Sequence, residues 1–311
     1  MNRLLYHLIA FVVVVVWGTT FVFTKLLLMA GLTAAQIFVW RFVIAYVLLL
    51  GYAVVLHWLK RRTFRLFSSN WKDELLMLGL GVTGGSLYFL AENTAMVYTT
   101  TTNTSLIVCL CPLFATALIG AVYKSERLRP SQMLGTVLAA IGVVVVVLNG
   151  HFVLHLSPLG DSLAFAACLC WAFYSLLMIS ANRRYDVVFI TRKVFFYGLL
   201  SMIPYYLLSP EGILTLPAFF AQAFSDGSEM GLSIVANLLF LGCIASMVCF
   251  VAWNWALKTI GAVTATNYVY INPVTTIVFA WLILNERITI FFLIGTALIL
   301  IGMYLADRKK A

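Results

Sequence analysis

Long apolar runs, separated by short polar or charged stretches, follow one another from end to end of the chain. A helix needs about 20 apolar residues to cross the hydrocarbon core of a bilayer. By that length the sequence predicts ten spanning helices, at residues 8–29, 35–57, 75–97, 101–123, 131–149, 160–181, 189–208, 231–256, 262–284 and 289–306. We therefore expect an all-α integral membrane protein with ten transmembrane helices.

Positive charges fall almost entirely on one side of these ten spans. With the N-terminus placed inside the cell, 17 of the 20 Lys and Arg residues lie in inside loops or at adjoining helix ends. Arg287 lies outside, and Lys25 and Arg41 lie within spans. An excess of Lys and Arg in cytoplasmic loops sets membrane topology. We therefore expect a multi-pass protein of the plasma membrane, the inner membrane in a bacterium, with both termini cytoplasmic.

The composition agrees with a chain that lies mostly in lipid. Of its residues 63% are hydrophobic and 10% are charged, and the mean hydropathy is +1.02. A soluble domain carries about 25% charged residues. The net charge of +9 does not indicate nucleic-acid binding, because the charges form no continuous basic helix or ribbon. The six cysteines lie inside apolar runs and their two C-x-C pairs point to different helix faces, so we expect no metal site and no cofactor.

The sequence lacks the motifs of membrane-embedded enzymes and of ATP-driven pumps. It contains no H-E-x-x-H, no pair of intramembrane aspartates, no G-x-S-x-G elbow and no Walker A motif. We therefore expect neither catalysis nor ATP hydrolysis. A receptor or scaffold that does not transport is the alternative from another functional class.

The chain repeats itself at a spacing of 160 residues. Segment 135–142, GTVLAAIG, shares five of eight residues with segment 295–302, GTALILIG. Trp17 and Trp171 also hold similar positions early in each half. We therefore predict two five-helix repeats, residues 1–150 and 151–311. Because five is odd, the second repeat must enter the membrane from the opposite side, which is the architecture of many alternating-access carriers.

Residues that recur in the same order in both halves carry a family resemblance. In the first half they are Trp17-Gly18-Thr19, Lys25, Arg41-Phe42 with Ala45, Pro112, Glu126-Arg127, Gly135 and Gly142; in the second they are Trp171-Ala172, Pro273, Glu286-Arg287, Gly295 and Gly302. Over nearly its whole length the chain resembles the EamA-like branch of the drug/metabolite transporter superfamily. The resemblance implies ten helices in two inverted halves, cytoplasmic termini, and export or exchange of small metabolites, amino acids or drugs. Glu92 departs from the pattern, because the family often has an uncharged residue there.

Three ionisable side chains, Lys25, Arg41 and Glu92, lie inside predicted spans. Each costs about 3 kcal/mol or more at a helix centre unless it is paired or hydrated. All three fall in the outer half of their helices, at similar depth. We hypothesise that Glu92 pairs with Lys25 or Arg41 beside a hydrated cavity, and that separation of this pair releases or takes up a proton. The alternative is a structural ion pair or snorkelling to the interface, which is favoured for Arg41.

Amide and aromatic side chains at membrane depth are the next candidates. Asn93 and Asn254 align across the repeat, so they either face one cavity or join helices by hydrogen bonds. The other amides at this depth are Asn103, Asn267 and Asn272. Trp17, Trp171 and Tyr174 either line a cavity wall, which favours amphipathic or aromatic substrates, or pack against their neighbours.

Pro112 and Pro273 are hinge candidates, because proline kinks or softens a helix. Gly135 and Gly142, like Gly295 and Gly302, are two turns apart and share a helix face. Such faces serve helix contacts in a monomer or in a homodimer equally well.

These features predict a secondary active transporter, an exporter of small metabolites such as amino acids or drug-like compounds, that works by alternating access. Its partners are the lipid bilayer, a small-molecule substrate and, through Glu92, protons. A nucleotide-sugar or phosphorylated-sugar exchanger is the alternative within the superfamily. That activity needs several cations in the cavity, and only Lys25 and Arg41 are available. The sequence leaves the substrate, the direction, the coupling ion and the oligomeric state open.

Overall fold

The computed structural model describes residues 3–59, 65–99, 101–123, 130–148, 157–208, 229–284 and 290–307. Apart from short connections, these residues are helical, and none of the described ranges contains a strand. The predicted all-α class is therefore confirmed for this part of the chain.

We number the helices in chain order. Segments joined by a π-helical stretch or a 3₁₀ turn count as one helix, as do the segments on either side of residues 109–110 and of residues 201–202. In the described residues these are α1 (Arg3–Met29), α2 (Ala34–Trp58), α3 (Trp71–Tyr98), α4 (Thr101–Val108 and Cys111–Val122), α5 (Pro130–Leu148), α6 (Pro158–Asn182), α7 (Val187–Leu208), α8 (Glu229–Leu239, Phe240–Val248 and Cys249–Ile260), α9 (Ala262–Asn267, Tyr268–Ile271 and Asn272–Leu284) and α10 (Ile290–Asp307).

Six of the described helices, namely α1, α2, α3, α6, α7 and α8, are long and apolar enough to cross a membrane. Shorter apolar helices run over Cys111–Val122, Pro130–Val145 and Leu293–Ala306. Large apolar side chains such as Leu207 and Leu208 are more than three-quarters exposed, as expected for a surface that contacts lipid. The protein is therefore a multi-pass membrane protein, and the full number of ten crossings stays a prediction.

Helices of the two halves pack on each other rather than separately. α1 lies along α8 and α9, while α6 lies along α3 and α4. α2 likewise packs on α8, and α7 packs on α3. These contacts match between the two repeats. The packing of α1 on α8 and α9 corresponds to that of α6 on α3 and α4, and the packing of α2 on α8 corresponds to that of α7 on α3. The centre of the molecule is consequently a seam between first-half and second-half helices.

Irregular helix segments occur at equivalent positions of the two halves. π-Helical stretches run over Val82–Ser86 in α3 and over Phe240–Val248 in α8. α4 is interrupted just before Cys111, and α9 contains a 3₁₀ turn just before Asn272. Pro112 and Pro273 each take the second place of the segment that follows, where a missing N–H is tolerated. The breaks in α4 and α9 are therefore adjacent to the prolines named from the sequence.

The glycines of the repeated segment lie between α5 and α10 of the same chain. Gly135 and Gly142 of α5 face Gly302 and Gly295 of α10, backbone against backbone. These faces are consequently used inside the monomer. The Glu126-Arg127 and Glu286-Arg287 pairs lie outside the described residues.

Candidate functional site

A cavity of about 30 Å³ lies at the central seam, with walls from both halves. α1, α2 and α3 contribute Trp17, Arg41, Tyr88, Phe89 and Glu92, while α6, α8 and α9 contribute Trp171, Phe250 and Asn272. Four residues predicted from the sequence as site candidates, Trp17, Arg41, Glu92 and Trp171, therefore meet at one cavity. Trp17 and Trp171 are 154 residues apart in the chain. The four residues converge because α1–α3 pack against α6 and α8.

Arg41 and Glu92 bring opposite charges to this cavity, and both are almost completely buried (3% and 6% exposed). Nε of Arg41 donates to Oγ of Ser246 at 2.5 Å, and its Cζ lies 4.4 Å from the centre of the Phe89 ring. Oε1 of Glu92 accepts a hydrogen bond from the hydroxyl of Tyr88 at 2.7 Å. Within the described part of the chain the two charges make no direct ion pair within 4 Å, although they attract each other across the cavity. Each charge is held in place and remains open to a further partner.

Aromatic rings build the apolar part of the wall. Trp17 and Trp171, the repeat-related pair, stand edge to face with ring centres 5.3 Å apart. The ring centre of Tyr88 lies 5.0 Å from that of Trp171, and the ring centre of Trp253 lies 5.1 Å from that of Trp17. Nε1 of Trp17 donates to the carbonyl oxygen of Ala245 at 2.8 Å, which fixes its ring against α8. Such rings prefer edge-to-face contacts and give the cavity a rigid apolar surface.

Two polar atoms on residues that line the cavity are buried and have no hydrogen-bond partner among the described residues. They are Nε1 of Trp171, a donor, and Oδ1 of Asn272, an acceptor. Both side chains are 5% exposed. The sequence named Asn272 only among the amides at membrane depth, and it did not single out Tyr88. Tyr88 could have been found, because it precedes Glu92 by four residues and therefore lies on the same helix face.

Lys25 lies away from this cavity. Its Nζ donates to the carbonyl oxygen of Met96 at 2.9 Å, and it lines a separate pocket of about 390 Å³ with Leu28, Thr33 and Val97. Met96 belongs to the last turn of α3, where carbonyl groups have no partner within the helix. The ammonium group of Lys25 therefore pairs with a carbonyl group at the end of α3 and not with Glu92.

Asn93, Asn254 and Tyr174 join helices and do not line the central cavity. Nδ2 of Asn93 donates to the carbonyl oxygen of Ala34 at 3.2 Å. Asn254 accepts from the Tyr174 hydroxyl at 2.8 Å and donates to Oγ1 of Thr191 at 2.9 Å, which links α8 to α6 and α7. The sequence left two roles open for Asn93 and Asn254, namely facing one cavity or joining helices by hydrogen bonds. In the structure both side chains form hydrogen bonds between helices. The side chain of Asn103 lies outside the described residues, and Asn267 is buried away from the cavity.

A second group of charges lies at the beginning of α3. Asp73 binds Arg184 and accepts from the Tyr185 hydroxyl at 2.7 Å. Glu74 accepts from Nζ of Lys193 at 2.8 Å and from the Tyr197 hydroxyl at 2.5 Å. These contacts fasten α3 to α6 and α7. The sequence placed the same cations in inside loops or at adjoining helix ends and did not pair them, because their partners are more than 100 residues away.

No group of three or more His, Cys, Asp or Glu side chains in the described ranges has the arrangement of a metal site. The lining of the cavity provides one guanidinium, one carboxyl, an indole N–H, an amide, the hydroxyls of Thr20 and Tyr88, the Cys111 thiol and aromatic surface. This set can bind a small molecule that carries both charges and an apolar part.

Comparison with known proteins gives consistent matches over almost the whole chain. The model of the EamA-like transporter family matches twice, at residues 4–148 and 158–306. An uncharacterized transporter of Archaeoglobus fulgidus is 29% identical over 98% of each chain. A probable amino-acid metabolite efflux pump of Escherichia coli is 27% identical, over 96% of this chain and 93% of the relative.

A further relative is a probable terminal-alkyne amino-acid exporter of Streptantibioticus cattleyicolor, 24% identical over 76% of this chain and 74% of its own length. A solved crystal structure superposes with a TM-score of 0.73 at 19% identity, covering 98% of this chain and 99% of that chain. At that identity the likeness concerns the fold alone.

Proposed function

Because the chain belongs to the EamA-like transporter family of the drug/metabolite transporter superfamily, we propose that it is a secondary active exporter of small amino-acid-like metabolites. Substrate binds in the central cavity and crosses the membrane by alternating access. The observation that carries this proposal is the pair of buried opposite charges, Arg41 and Glu92, at one aromatic-walled cavity.

The charges of Arg41 and Glu92 are energetically unfavourable within a membrane protein unless they are compensated. A charged side chain at membrane depth costs several kcal/mol, so such residues commonly mark substrate or ion pathways. A substrate carboxylate can form two parallel hydrogen bonds with the guanidinium of Arg41. A substrate ammonium group complements the carboxylate of Glu92. The aromatic wall then accepts an apolar side chain. The relatives from Escherichia coli and Streptantibioticus cattleyicolor are named as a probable efflux pump for amino-acid metabolites and a probable amino-acid exporter, which agrees with such a substrate.

Transport requires the cavity to enlarge. A volume of about 30 Å³ accommodates about two water molecules, whereas ligand sites in proteins measure roughly 300–1,000 Å³. Substrate binding therefore requires helices of the two halves to separate around the seam. The π-helical stretches and the breaks before Pro112 and Pro273 supply hinges in helices that line the seam. Their equivalence in the two halves fits a motion that opens the cavity first to one side and then to the other.

The full architecture that we propose has ten crossings in two inverted repeats, residues 1–150 and 151–311. Both termini lie in the cytoplasm, and the membrane is the inner membrane of a bacterium. The distribution of Lys and Arg in the sequence supports this orientation.

Glu92 also supplies a means of coupling transport to protons. Its carboxylate can be neutralised by a substrate ammonium group or by a proton. When substrate leaves on the outside, proton uptake by Glu92 replaces the lost charge, and the proton is released when the next substrate binds on the inside. An inward proton gradient would then drive export.

A nucleotide-sugar or phosphorylated-sugar exchanger is less well supported. Phosphate groups need several cations in the binding cavity. Among the described residues Arg41 lines the central cavity, whereas Lys25 lies in a separate pocket. A receptor or scaffold without transport would not need opposite charges at the seam.

The test is counterflow of labelled amino acids, aromatic ones first, in liposomes that contain the purified protein. We expect saturable counterflow that responds to a pH gradient, and we expect Glu92→Gln to lose that response. Asp161→Asn is the matched carboxyl-to-amide control, because Asp161 caps α6 and bonds Thr99 away from the cavity. Counterflow of no compound in a broad metabolite and drug panel would contradict the transport assignment.

A further inference from the structure

We infer that Asn272 and Trp171 form the second-half portion of the substrate site. Oδ1 of Asn272 accepts a hydrogen bond from the substrate's ammonium group, and Nε1 of Trp171 donates to its carboxylate. This inference rests on the proposed transport function and specifies which atoms of the cavity recognise the substrate.

The first argument comes from the two unpaired atoms. Buried polar atoms in folded proteins nearly always have a partner, and leaving one unpaired costs stability. Of the buried polar side-chain atoms that have no partner within the described ranges, only Nε1 of Trp171 and Oδ1 of Asn272 belong to residues that line the central cavity. Of the unpaired atoms, these two are therefore the candidates for pairing with a ligand in the cavity.

Several polar groups on the helices around these two residues are paired. Nε1 of Trp17 donates to Ala245, and both ends of the Asn254 amide are bonded. Oγ1 of Thr276 donates to the carbonyl oxygen of Gly18 at 2.8 Å. Trp253 and Asn267 also carry unpaired buried atoms, but Trp171 and Asn272 differ from them because they line the cavity.

The second argument comes from the chemical types and their positions. Arg41 and Trp171 are donors, whereas Glu92 and Asn272 are acceptors. Arg41 and Glu92 come from first-half helices, and Trp171 and Asn272 come from second-half helices. The cavity thus offers each charge of a zwitterion one complementary group from each half. The substrate bridges the seam, so its binding is linked to the relative position of the two halves.

Both second-half residues are held firmly. Asn272 begins the segment of α9 that follows the 3₁₀ turn. This segment packs so closely on α1 that a Cβ on Gly18 would lie 2.9 Å from the carbonyl oxygen of Asn272. Trp171 is fixed by the rings of Trp17 and Tyr88. Groups held in this way lose little entropy when they bind a ligand.

The experiment measures inhibition of counterflow by three related compounds. The labelled probe is the amino acid with the fastest counterflow in a panel that begins with phenylalanine. The competitors are that amino acid and its two analogues that lack either the carboxylate or the amino group, such as phenethylamine and 3-phenylpropionate for phenylalanine.

We expect Asn272→Leu to weaken inhibition by the amino acid and by the amine about tenfold, which is the effect of losing one hydrogen bond to a charged group. Inhibition by the acid should be unchanged. Asn272→Asp, which keeps an acceptor, should retain binding of the amine. Trp171→Phe should weaken inhibition by the amino acid and by the acid by a similar factor, and inhibition by the amine should be unchanged.

Two matched variants control for packing. Asn267→Leu and Trp253→Phe remove unpaired buried atoms of the same kinds from residues outside the cavity lining. Both should leave the order of the three competitors unchanged.

Equal weakening of all three compounds by Asn272→Leu or Trp171→Phe would overturn the inference, since a structural role predicts that result. Counterflow of only non-zwitterionic compounds would also overturn it and would leave the transport function standing. Counterflow of no compound at all would remove the proposed function and this inference with it.

Discussion

Gly135 of α5 and Gly302 of α10 meet backbone to backbone across the repeat. A Cβ on Gly135 would lie 2.5 Å from the carbonyl oxygen of Gly302, and a Cβ on Gly302 would lie 2.6 Å from that of Gly135. Two turns along, a Cβ on Gly142 would lie 2.7 Å from the carbonyl oxygen of Gly295. Small residues allow helices in a membrane to approach closely, and van der Waals packing then holds them together.

We therefore expect Gly135→Ala and Gly302→Ala to force α5 and α10 apart. Overpacking of a close contact costs about 1–3 kcal/mol, so each variant should melt at a lower temperature. Thermal unfolding in detergent, followed by intrinsic fluorescence, measures this. Gly51→Ala in α2 is the control, because a Cβ there would meet nothing within 4 Å. Equal melting temperatures for Gly135→Ala and Gly51→Ala would contradict the close contact.

The sequence predicted this contact surface but not its partner. The seven-residue spacing of the glycines is a local property of one helix, so it can be recognised from the sequence alone. Which other helix covers the face depends on the packing of the whole chain. The sequence therefore left a monomer and a homodimer open. Since the faces meet within one chain, a homodimer would have to use another surface.

Arg41 illustrates how a site group is supported by its neighbours. Its guanidinium donates to Ser246 from Nε and lies over Phe89, which leaves its outer nitrogens for a ligand. Lysine has a point charge and cannot reproduce this geometry. We expect Arg41→Lys to raise the KM for substrate about tenfold or more, whereas Ser246→Ala should raise it less.

Measurement of transport kinetics in liposomes checks this prediction, with Lys25→Gln as the control cation. Lys25 lies in the separate pocket, so its replacement should leave KM unchanged. A normal KM for Arg41→Lys together with a raised KM for Lys25→Gln would mean that substrate binds in the other pocket.

The ionisable residues also show how far the sequence could lead. Depth along a helix is predictable from the residue count, which assigned Arg41 and Glu92 to similar depths, and the structure brings both residues to one cavity. The partner of Lys25 was not predictable, because it is a backbone carbonyl at the end of α3 and has no signature in the sequence. Asn272 was equally hidden, since its unpaired oxygen matters only once the cavity is known.

The contact between Glu74 and Lys193 should contribute to stability rather than transport. Lys193 is nearly buried (3% exposed), so removal of its carboxylate partner leaves a charge without compensation. Breaking a fully buried pair costs 3–5 kcal/mol in typical proteins, and Glu74 is 20% exposed, so we expect a loss of about 2 kcal/mol for Glu74→Gln.

Thermal melting of Glu74→Gln, Lys193→Met and the double variant checks the pairing. The double variant should lose less stability than the sum of the two single variants, because no unpaired charge remains. Strict additivity would show that the two groups do not interact.

Asn254 is the last candidate whose two roles can be separated by experiment. Its amide connects Tyr174 and Thr191 and is completely buried, so Asn254→Leu should leave the Tyr174 hydroxyl without its acceptor and the Thr191 hydroxyl without this donor. Interhelical hydrogen bonds in membranes are worth about 0.6–2 kcal/mol each. We expect Asn254→Leu to melt at a clearly lower temperature while the KM of the protein that remains folded stays within about twofold of the parent. Asn272→Leu should behave in the opposite way, with a raised KM and little loss of stability. An unchanged melting temperature with a raised KM for Asn254→Leu would instead place this amide in the substrate path, as the repeat symmetry with Asn93 first suggested.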